Sequence, residues 1–139
     1  MIADGSHANR STRVVVADHH PDYLDLLVLL VDAMPTLDVV GKTLNGAEAV
    51  RLALELCADL GLLEVLMPSL DGFDAATEIR SSRPETVVLL HTGELRSGVR
   101  ERASELGFFV FEKLELVKSL ELLERLGRVT CRSSTRQAA

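Results

Sequence analysis

The chain has 139 residues, 47% of them hydrophobic, which suits one domain with a single core. Fifteen Lys and Arg residues against 21 Asp and Glu residues give a net charge of -6, which argues against nucleic acid as a partner. No apolar run reaches the roughly 18 residues of a membrane span, and residues 1–13 lack the apolar centre of a signal peptide. Cys57 and Cys131 fit neither a disulfide framework nor a zinc site. We therefore expect a cytoplasmic protein with protein partners, no nucleic acid and no membrane.

The folded domain is predicted at residues 13–126, between a flexible polar arm at residues 1–12 and a disordered polar tail at residues 127–139. Its first apolar run, Val14 to Ala17, ends at Asp18 and leads into Pro21, which is typical of a buried parallel strand followed by a helix. The core face of that helix is predicted to comprise Leu24, Leu27, Val28 and Val31.

The same helix is apolar on other positions as well, namely Leu26, Leu29 and Leu30. These leucines have two interpretations, partial burial under neighbouring helices or an exposed patch for association.

Four further strands and four further helices are expected along the chain. Asn45, with Glu48 three residues later, predicts a helix start, and Gly107 predicts a helix end. The strands are predicted at residues 37–41, 59–65, 86–90 and 108–111. The helices are predicted after residue 45 up to residue 57, at residues 73–81, around residues 99–106 and at residues 116–126.

Strands that alternate with helices predict an α/β fold with a parallel sheet covered on both faces, in the flavodoxin-like order 2-1-3-4-5. In such doubly wound sheets, function gathers beyond the carboxyl ends of the strands. The residues at these ends are Asp18, Glu64, Thr92 and Lys113. We expect them to surround one crevice.

These strand ends, together with the Met67-Pro68 and Asp71-Gly72 pairs after Glu64, resemble the receiver domain of bacterial response regulators. The resemblance implies that Asp18 and His19 stand where the family has two acidic Mg²⁺ ligands. It places Glu64 at the phospho-accepting aspartate, and Thr92 and Lys113 at the groups that contact the phosphoryl group.

Two of these positions depart from the family pattern, because His19 replaces the second acid and Glu64 replaces the acceptor aspartate. Imidazole is a poor Mg²⁺ ligand, so Asp18 and Glu64 remain as metal ligands and only weak Mg²⁺ binding, with no other cofactor, is expected. The extra methylene of Glu64 moves its carboxylate by ~1.5 Å, which disfavours in-line attack.

The resemblance and its departures predict a stand-alone, atypical pseudo-receiver that is not an enzyme and acts on signalling proteins, either a histidine kinase or a downstream effector. One alternative is a phosphorylatable receiver that serves as a phosphotransfer intermediate. Another is a small metal-responsive regulator, because Asp18, His19 and Glu64 offer mixed N and O ligands suited to Zn²⁺ or Ni²⁺.

Four other candidate residues are interpreted as structural rather than as members of the site. Asp59 is read as a strand-start residue rather than a substitute acceptor, and Asp71 as a turn former. His20 is read as a helix-entry residue, and His91 should point away from Thr92 by strand alternation.

A homodimer is predicted through the face of the fourth helix, fifth strand and fifth helix, because opposite charges on one face suit a two-fold contact. Its charged residues are Arg96, Arg100, Arg102, Glu115, Lys118 and Glu121.

Overall fold

The structure is a computed structural model that describes residues 11–115 and Lys118. Within that part of the chain, five strands alternate with four helices and a 3-10 turn follows the last strand. The strands are β1 (Thr12–Ala17), β2 (Leu37–Thr43), β3 (Leu60–Glu64), β4 (Val87–Thr92) and β5 (Phe109–Glu112). The helices are α1 (Pro21–Asp32), α2 (Gly46–Glu55), α3 (Gly72–Ser82) and α4 (Ser97–Leu106), and the turn is Lys113–Glu115.

Three predicted segments fall wholly or mostly outside the described residues, namely the arm at residues 1–12, the helix at residues 116–126 and the tail at residues 127–139. β1 begins at Thr12 and so extends into the predicted arm. β2 reaches Thr43, two residues beyond its predicted end, because it pairs with β1 as far as Ala17.

All five strands are parallel and lie in the order β2-β1-β3-β4-β5, which confirms the predicted topology. The register aligns Ala17 with Leu63 and Glu64 with His91. Because parallel strands place their carboxyl ends at one edge of the sheet, the residues that end β1, β3, β4 and β5 meet there.

Two apolar layers cover the sheet, because successive side chains of a strand point to opposite faces. On one face, Val14, Leu62 and Leu89 pack with Leu27 and Val31 of α1. The other layer joins strand residues to α2, α3 and α4. Its members include Val15, Ala17, Ala53, Leu63, Phe73, Ile79, Leu90 and Ala103.

The first helix leaves part of its apolar surface in solvent. Leu29 is 68% exposed and Leu26 is 45% exposed, whereas Leu30 packs, partly buried, against the core. Leu26 and Leu29 are therefore exposed, whereas Leu30 is partly buried as the first interpretation expects, and association through the exposed pair stays a prediction. Among the described residues, no helix combines the length and apolarity needed to cross a bilayer.

The turn after β3 is fixed by Asp71 and Gly72. Asp71 caps α3 by accepting from the backbone N of Asp74 at 2.9 Å, which confirms its prediction as a turn former. A Cβ on Gly72 would lie only 2.2 Å from the carbonyl oxygen of Glu64, so a larger residue would collide with the backbone there. The Gly72 N–H donates to the carbonyl of Val65 at 2.8 Å. These contacts hold the turn close to the end of β3, where Glu64 lies.

The basic side chains predicted on one face of α4 are arranged differently from the expectation. Arg96 precedes α4 and pairs with Glu94 at 3.1 Å. Arg102 lies 3.4 Å from Asp74 of α3, because the two helices are neighbours on the same side of the sheet. All three arginines are exposed, and Arg100 and Arg102 lie on α4 itself.

Candidate functional site at the carboxyl edge of the sheet

Asp18 follows β1 directly and is fully buried. The backbone N of His20 donates to Asp18 Oδ1 at 2.9 Å, a contact that stabilises the passage from strand to helix. His20 occupies the N-cap position of α1, ahead of Pro21, whose fixed φ suits the first helical position. The chain therefore holds Asp18 in place, and its Oδ2 lies near the groups contributed by the other strands.

Glu64 ends β3, and only 5% of its side chain is exposed. Its Oε1 accepts from the backbone N of His19 at 2.9 Å and lies 2.5 Å from His19 Nδ1. Its Oε2 accepts from Lys113 Nζ at 2.7 Å. Both oxygens of this carboxylate are thus engaged by donors from two other segments.

Lys113 opens the 3-10 turn after β5, and its ammonium lies between the two buried carboxylates. Nζ is 2.7 Å from Glu64 Oε2 and 2.8 Å from Asp18 Oδ2. The contact with Asp18 is an ion pair without a hydrogen bond to Oδ2 among the described residues. Nζ also lies 3.3 Å from His20 Nδ1 and 4.4 Å from the centre of the Tyr23 ring. One ammonium therefore contacts Asp18, Glu64, His20 and the ring of Tyr23.

These contacts shift the pKa values of two side chains. Burial alone would raise the pKa of Glu64, but hydrogen bonds from Lys113 and His19 outweigh it and lower the pKa below its ordinary value. Burial, with help from the charges of Asp18 and Glu64, raises the pKa of Tyr23 to about 12. At neutral pH, Glu64 is ionised and Tyr23 is a neutral phenol that donates to the carbonyl of Lys113 at 3.2 Å.

His91 lies behind Asp18, with only 2% of its surface exposed. Its Nδ1 is 3.6 Å from Asp18 Oδ2, and its ring centre is 5.9 Å from that of Tyr23. It therefore faces α1, as strand alternation predicts. Burial lowers the pKa of His91 to about 4, against the opposing attraction of Asp18. Neither ring nitrogen has a hydrogen-bond partner within the described part of the chain.

Thr92 ends β4 and is buried, but its hydroxyl is turned to the following loop. It donates to the carbonyl of Glu94 at 3.2 Å and accepts from the backbone N of Glu94 at 3.4 Å. The predicted position at the strand end is correct, whereas its hydrogen bonds go to Glu94 and not to Glu64 or Lys113.

The structure thus brings Asp18, His19, Glu64 and Lys113 into direct contact. Sequence reasoning missed His20, whose ring joins the group while its backbone enters α1 as predicted. Tyr23 was also missed. It lies in the first turn of α1, and because α1 starts at the site, that position in the sequence could have indicated a place beside the site.

Asp59 lies at the opposite edge of the sheet from Glu64. It comes just before β3, and its Oδ2 accepts from the backbone N of Arg13 at 2.9 Å. Glu64 ends the same strand. The strand-start interpretation is confirmed, and Asp59 is not placed to act as a substitute acceptor.

The four side chains Asp18, His19, His20 and Glu64 each offer a donor atom, and these atoms lie within 4.8 Å of one another. Mg²⁺ prefers oxygen ligands, but half of this set is imidazole. The two carboxylates and the Lys113 ammonium carry a total charge of -1. Lys113 therefore already neutralises half of the negative charge that would attract a metal ion. The group therefore fits Mg²⁺ poorly.

The chain matches the response regulator receiver domain family over residues 14–121. It is 39% identical over 84 residues to protein-glutamate methylesterase/protein-glutamine glutaminase 4 of Myxococcus xanthus, a match that covers 60% of this chain and 24% of that protein. It is 35% identical over 79 residues to the transcriptional regulatory protein LiaR of Bacillus subtilis, a match that covers 55% of this chain and 37% of that protein. The chain thus spans well under half the length of these two relatives.

Two solved structures share the fold over most of their length. The signal receiver domain of NarL from Mycobacterium tuberculosis is 29% identical, with a TM-score of 0.74 over 84% of this chain and 98% of that one. The response regulator domain of CheB from Thermotoga maritima is 25% identical, with a TM-score of 0.75 over 86% of this chain and 97% of that one.

Proposed function

Because the chain belongs to the response regulator receiver domain family, we propose that it is an atypical receiver that signals through protein contacts without the ordinary aspartyl-phosphate cycle. In this proposal Glu64 stands at the phospho-accepting position. The observation that carries it is the engagement of both Glu64 oxygens, Oε1 by His19 and Oε2 by Lys113.

A carboxylate attacks a phosphoryl group through an oxygen lone pair that points along the line of displacement. At Oε1 the lone pairs accept from two nitrogens of His19, and at Oε2 they accept from the Lys113 ammonium. The added methylene of glutamate also shifts the carboxylate by ~1.5 Å relative to aspartate, and in-line attack tolerates little misplacement. Phosphotransfer through Glu64, the alternative function, is disfavoured for these reasons.

A phosphoryl donor carries negative charge, so its approach to a carboxylate requires a neutralising cation. Asp18 and Glu64 here face one ammonium, and His19 supplies a nitrogen donor in place of a third carboxylate. A divalent magnesium ion would have to separate Lys113 from both carboxylates. The proposal therefore includes only weak Mg²⁺ binding at Asp18 and Glu64, and no reaction step depends on it.

The same ion pair supports a signalling module rather than an enzyme. Lys113 bonded to Glu64 ties the end of β5 to the end of β3, and the aromatic ring of Tyr23 covers the ammonium. A carboxylate on a longer side chain thereby holds Lys113 as a phosphoryl group would, which biases the domain toward one conformation. A histidine kinase or a downstream effector would then recognise that conformation.

The partner surface in this proposal is formed by α4 and β5, and a second copy of the chain is one candidate partner. β5 is an edge strand on which Phe109 is 69% exposed, and Arg100 is exposed on α4.

Reversing the charge of Arg100 by Arg100→Glu should shift a charge-assisted dimer toward monomer. Raising salt should do the same, because the Debye length contracts from ~10 Å at 0.1 M to ~3 Å at 1 M.

Sedimentation at two salt concentrations measures this association. Self-association through Leu26 and Leu29 would instead resist salt, since those side chains are apolar. A monomer under both conditions at high micromolar protein would exclude the dimer while leaving other partners on the same surface to test by cross-linking.

Phosphorylation is tested by intact mass after incubation with a small phosphodonor and Mg²⁺. The wild type should gain no stable phosphate. The double variant His19→Asp with Glu64→Asp should gain some, because it restores three carboxylates beside Thr92 and Lys113. The matched control is His20→Ala with the wild-type Glu64. A stoichiometric phosphate on the wild type that is lost in Glu64→Gln would overturn the proposal.

A further inference from the structure

We propose that the cluster of Asp18, His19, His20 and Glu64 binds a divalent transition-metal ion such as Zn²⁺, and that this ion competes with the ammonium of Lys113. The donor atoms of these four residues converge within 4.8 Å. The cluster combines two carboxylates with two imidazoles, and this mixture suits Zn²⁺, Ni²⁺ or Cu²⁺ rather than Mg²⁺.

A cation already occupies the centre of this cluster. Lys113 Nζ lies 2.8 Å from Asp18 Oδ2, 2.7 Å from Glu64 Oε2 and 3.3 Å from His20 Nδ1. Three of the four ligand candidates therefore face one positive charge, in a place where both carboxylates are shielded from water. The same arrangement of negative charge would attract a divalent metal ion. Such an ion carries twice the charge of the Lys113 ammonium and forms stronger bonds to imidazole than the ammonium does.

The four residues differ in how far they can adjust. Asp18 and Glu64 are fixed at strand ends, with 0% and 5% of their side chains exposed. The side chains of His19 and His20 are 38% and 58% exposed. Zinc–nitrogen bonds are about 2.0–2.1 Å long, which places the ligand atoms of a tetrahedral site about 3.3 Å apart. The most distant donor atoms of the cluster, up to 4.8 Å apart, must therefore draw closer, and His19 Nδ1 must move away from Glu64 Oε1, which is 2.5 Å from it. The two exposed imidazoles supply that movement, and the carboxylates form the rigid base.

Metal binding would change the surroundings of Tyr23, because Lys113 must leave the carboxylates. The Lys113 ammonium now lies 4.4 Å from the centre of the Tyr23 ring, and the Tyr23 hydroxyl donates to the Lys113 carbonyl at 3.2 Å. Tyr23 is the only tyrosine in a chain without tryptophan. Its fluorescence therefore reports at one place whether Lys113 has moved.

This site does not rest on the proposed signalling function. Phosphate labelling is read by mass with Mg²⁺ present, whereas metal binding is read by titration without a phosphodonor. Each experiment can fail while the other succeeds.

The test is a Zn²⁺ titration of the tag-free chain at pH 7 against a chromophoric chelator, with Tyr23 fluorescence followed in parallel. We expect one ion per chain and a fluorescence change that saturates at the same stoichiometry. His19→Ala and His20→Ala should each weaken binding by about tenfold or more, since each removes a ligand. Millimolar Mg²⁺ should neither displace Zn²⁺ nor reproduce the fluorescence change.

Two further variants separate this site from other histidines and from a structural effect. His7→Ala, which removes the histidine that lies outside the described residues, should leave the affinity unchanged. Lys113→Met should tighten binding by about threefold or more, because the competing cation is gone. Lys113→Gln serves the same purpose if the methionine variant does not fold. Weaker binding in both Lys113 variants, an equal loss in His7→Ala, or no stoichiometric binding would each overturn the proposal.

Discussion

Polar side chains are buried or half-buried at both edges of the sheet, but their hydrogen-bond partners at the two edges are of different kinds. At the amino edge they bond to backbone: Asp59 Oδ2 accepts from the N–H of Arg13 at 2.9 Å, and the Thr86 hydroxyl donates to the carbonyl of Ala58 at 2.7 Å. At the carboxyl edge, side chains bond mainly to other side chains, as Lys113 does to Glu64. The hydrogen bonds at the amino edge connect neighbouring segments of the sheet, and their partners can change only if the backbone moves.

The carboxyl edge is also less completely satisfied. Among the described residues, three buried side-chain atoms at this edge lack a hydrogen bond, namely Asp18 Oδ2, whose partner is the Lys113 ion pair, and both nitrogens of His91, whereas at the amino edge the Thr36 hydroxyl lacks one. Buried polar atoms without a hydrogen bond cost stability, and three of the four such side-chain atoms in the described residues lie at the carboxyl edge, as expected where a functional site is built at the expense of stability. Because its partners are side chains, the cluster can exchange one cation for another while the sheet stays intact.

The largest effect is expected from Lys113→Met, measured by urea unfolding at pH 7 with a chelator present. It leaves Asp18 and Glu64 buried side by side without their counter-ion, which should lower the free energy of unfolding by about 3 kcal/mol. The double variant Lys113→Met with Glu64→Gln should recover part of this loss, because one of the two charges is gone. Equal stabilities of the single and double variants would show that the carboxylates do not depend on Lys113.

The second effect is a pH dependence that originates at His91. Its pKa falls from 6.5 to about 4 on folding, so the unfolded chain binds the proton more tightly. Stability should therefore be constant above about pH 6.5 and fall by about 3 kcal/mol as the pH drops toward 4. His91→Phe should remove this slope when the free energy of unfolding is measured between pH 7 and pH 5.

Glu64 provides an internal comparison for that experiment. Its pKa is lowered on folding, so its contribution is present above the ordinary value of 4.5 and is lost only as the pH falls through the lower folded value. A loss between pH 6.5 and 5 therefore belongs to His91 and not to Glu64. If His91→Phe keeps the wild-type slope in that range, the assignment to His91 is wrong.

The smallest effect is expected at the amino edge, from Thr86→Val. This change removes one buried hydrogen bond to the carbonyl of Ala58 and nearly conserves volume, so it should cost about 1 kcal/mol at any pH between 5 and 8. Urea unfolding checks it under the same conditions as Lys113→Met. A larger loss than in Lys113→Met would reverse the contrast between the two edges.

The sequence predicts most of the fold because each strand is an apolar run that ends at a polar residue. Those runs also bring Asp18, Glu64 and Lys113 together, since parallel strands share a carboxyl edge. The ring of His20 could not be placed in this way. Its position depends on how the chain turns between β1 and α1, and local spacing does not determine that turn.

Contacts that depend on loop conformation or on the packing of helices could not be predicted from the sequence either. The hydroxyl of Thr92 faces Glu94 because of the loop after β4, and Arg102 pairs with Asp74 because α3 and α4 are neighbours. Both depend on the packing of elements, whereas strand position and helix face follow from local pattern alone.

The most direct test of the ion pairs between Lys113 and the buried carboxylates of Asp18 and Glu64 is a ¹H–¹⁵N NMR spectrum of the lysine ammonium groups, recorded near pH 6 with a chelator. The chain has three lysines, and Lys42 and Lys118 are exposed, so they serve as fast-exchanging references. Lys113 should give one slowly exchanging signal, because its ammonium is held between Asp18 and Glu64, and the signal should be lost in Glu64→Gln. A Lys113 signal that exchanges as fast as those of Lys42 and Lys118 would contradict the claim.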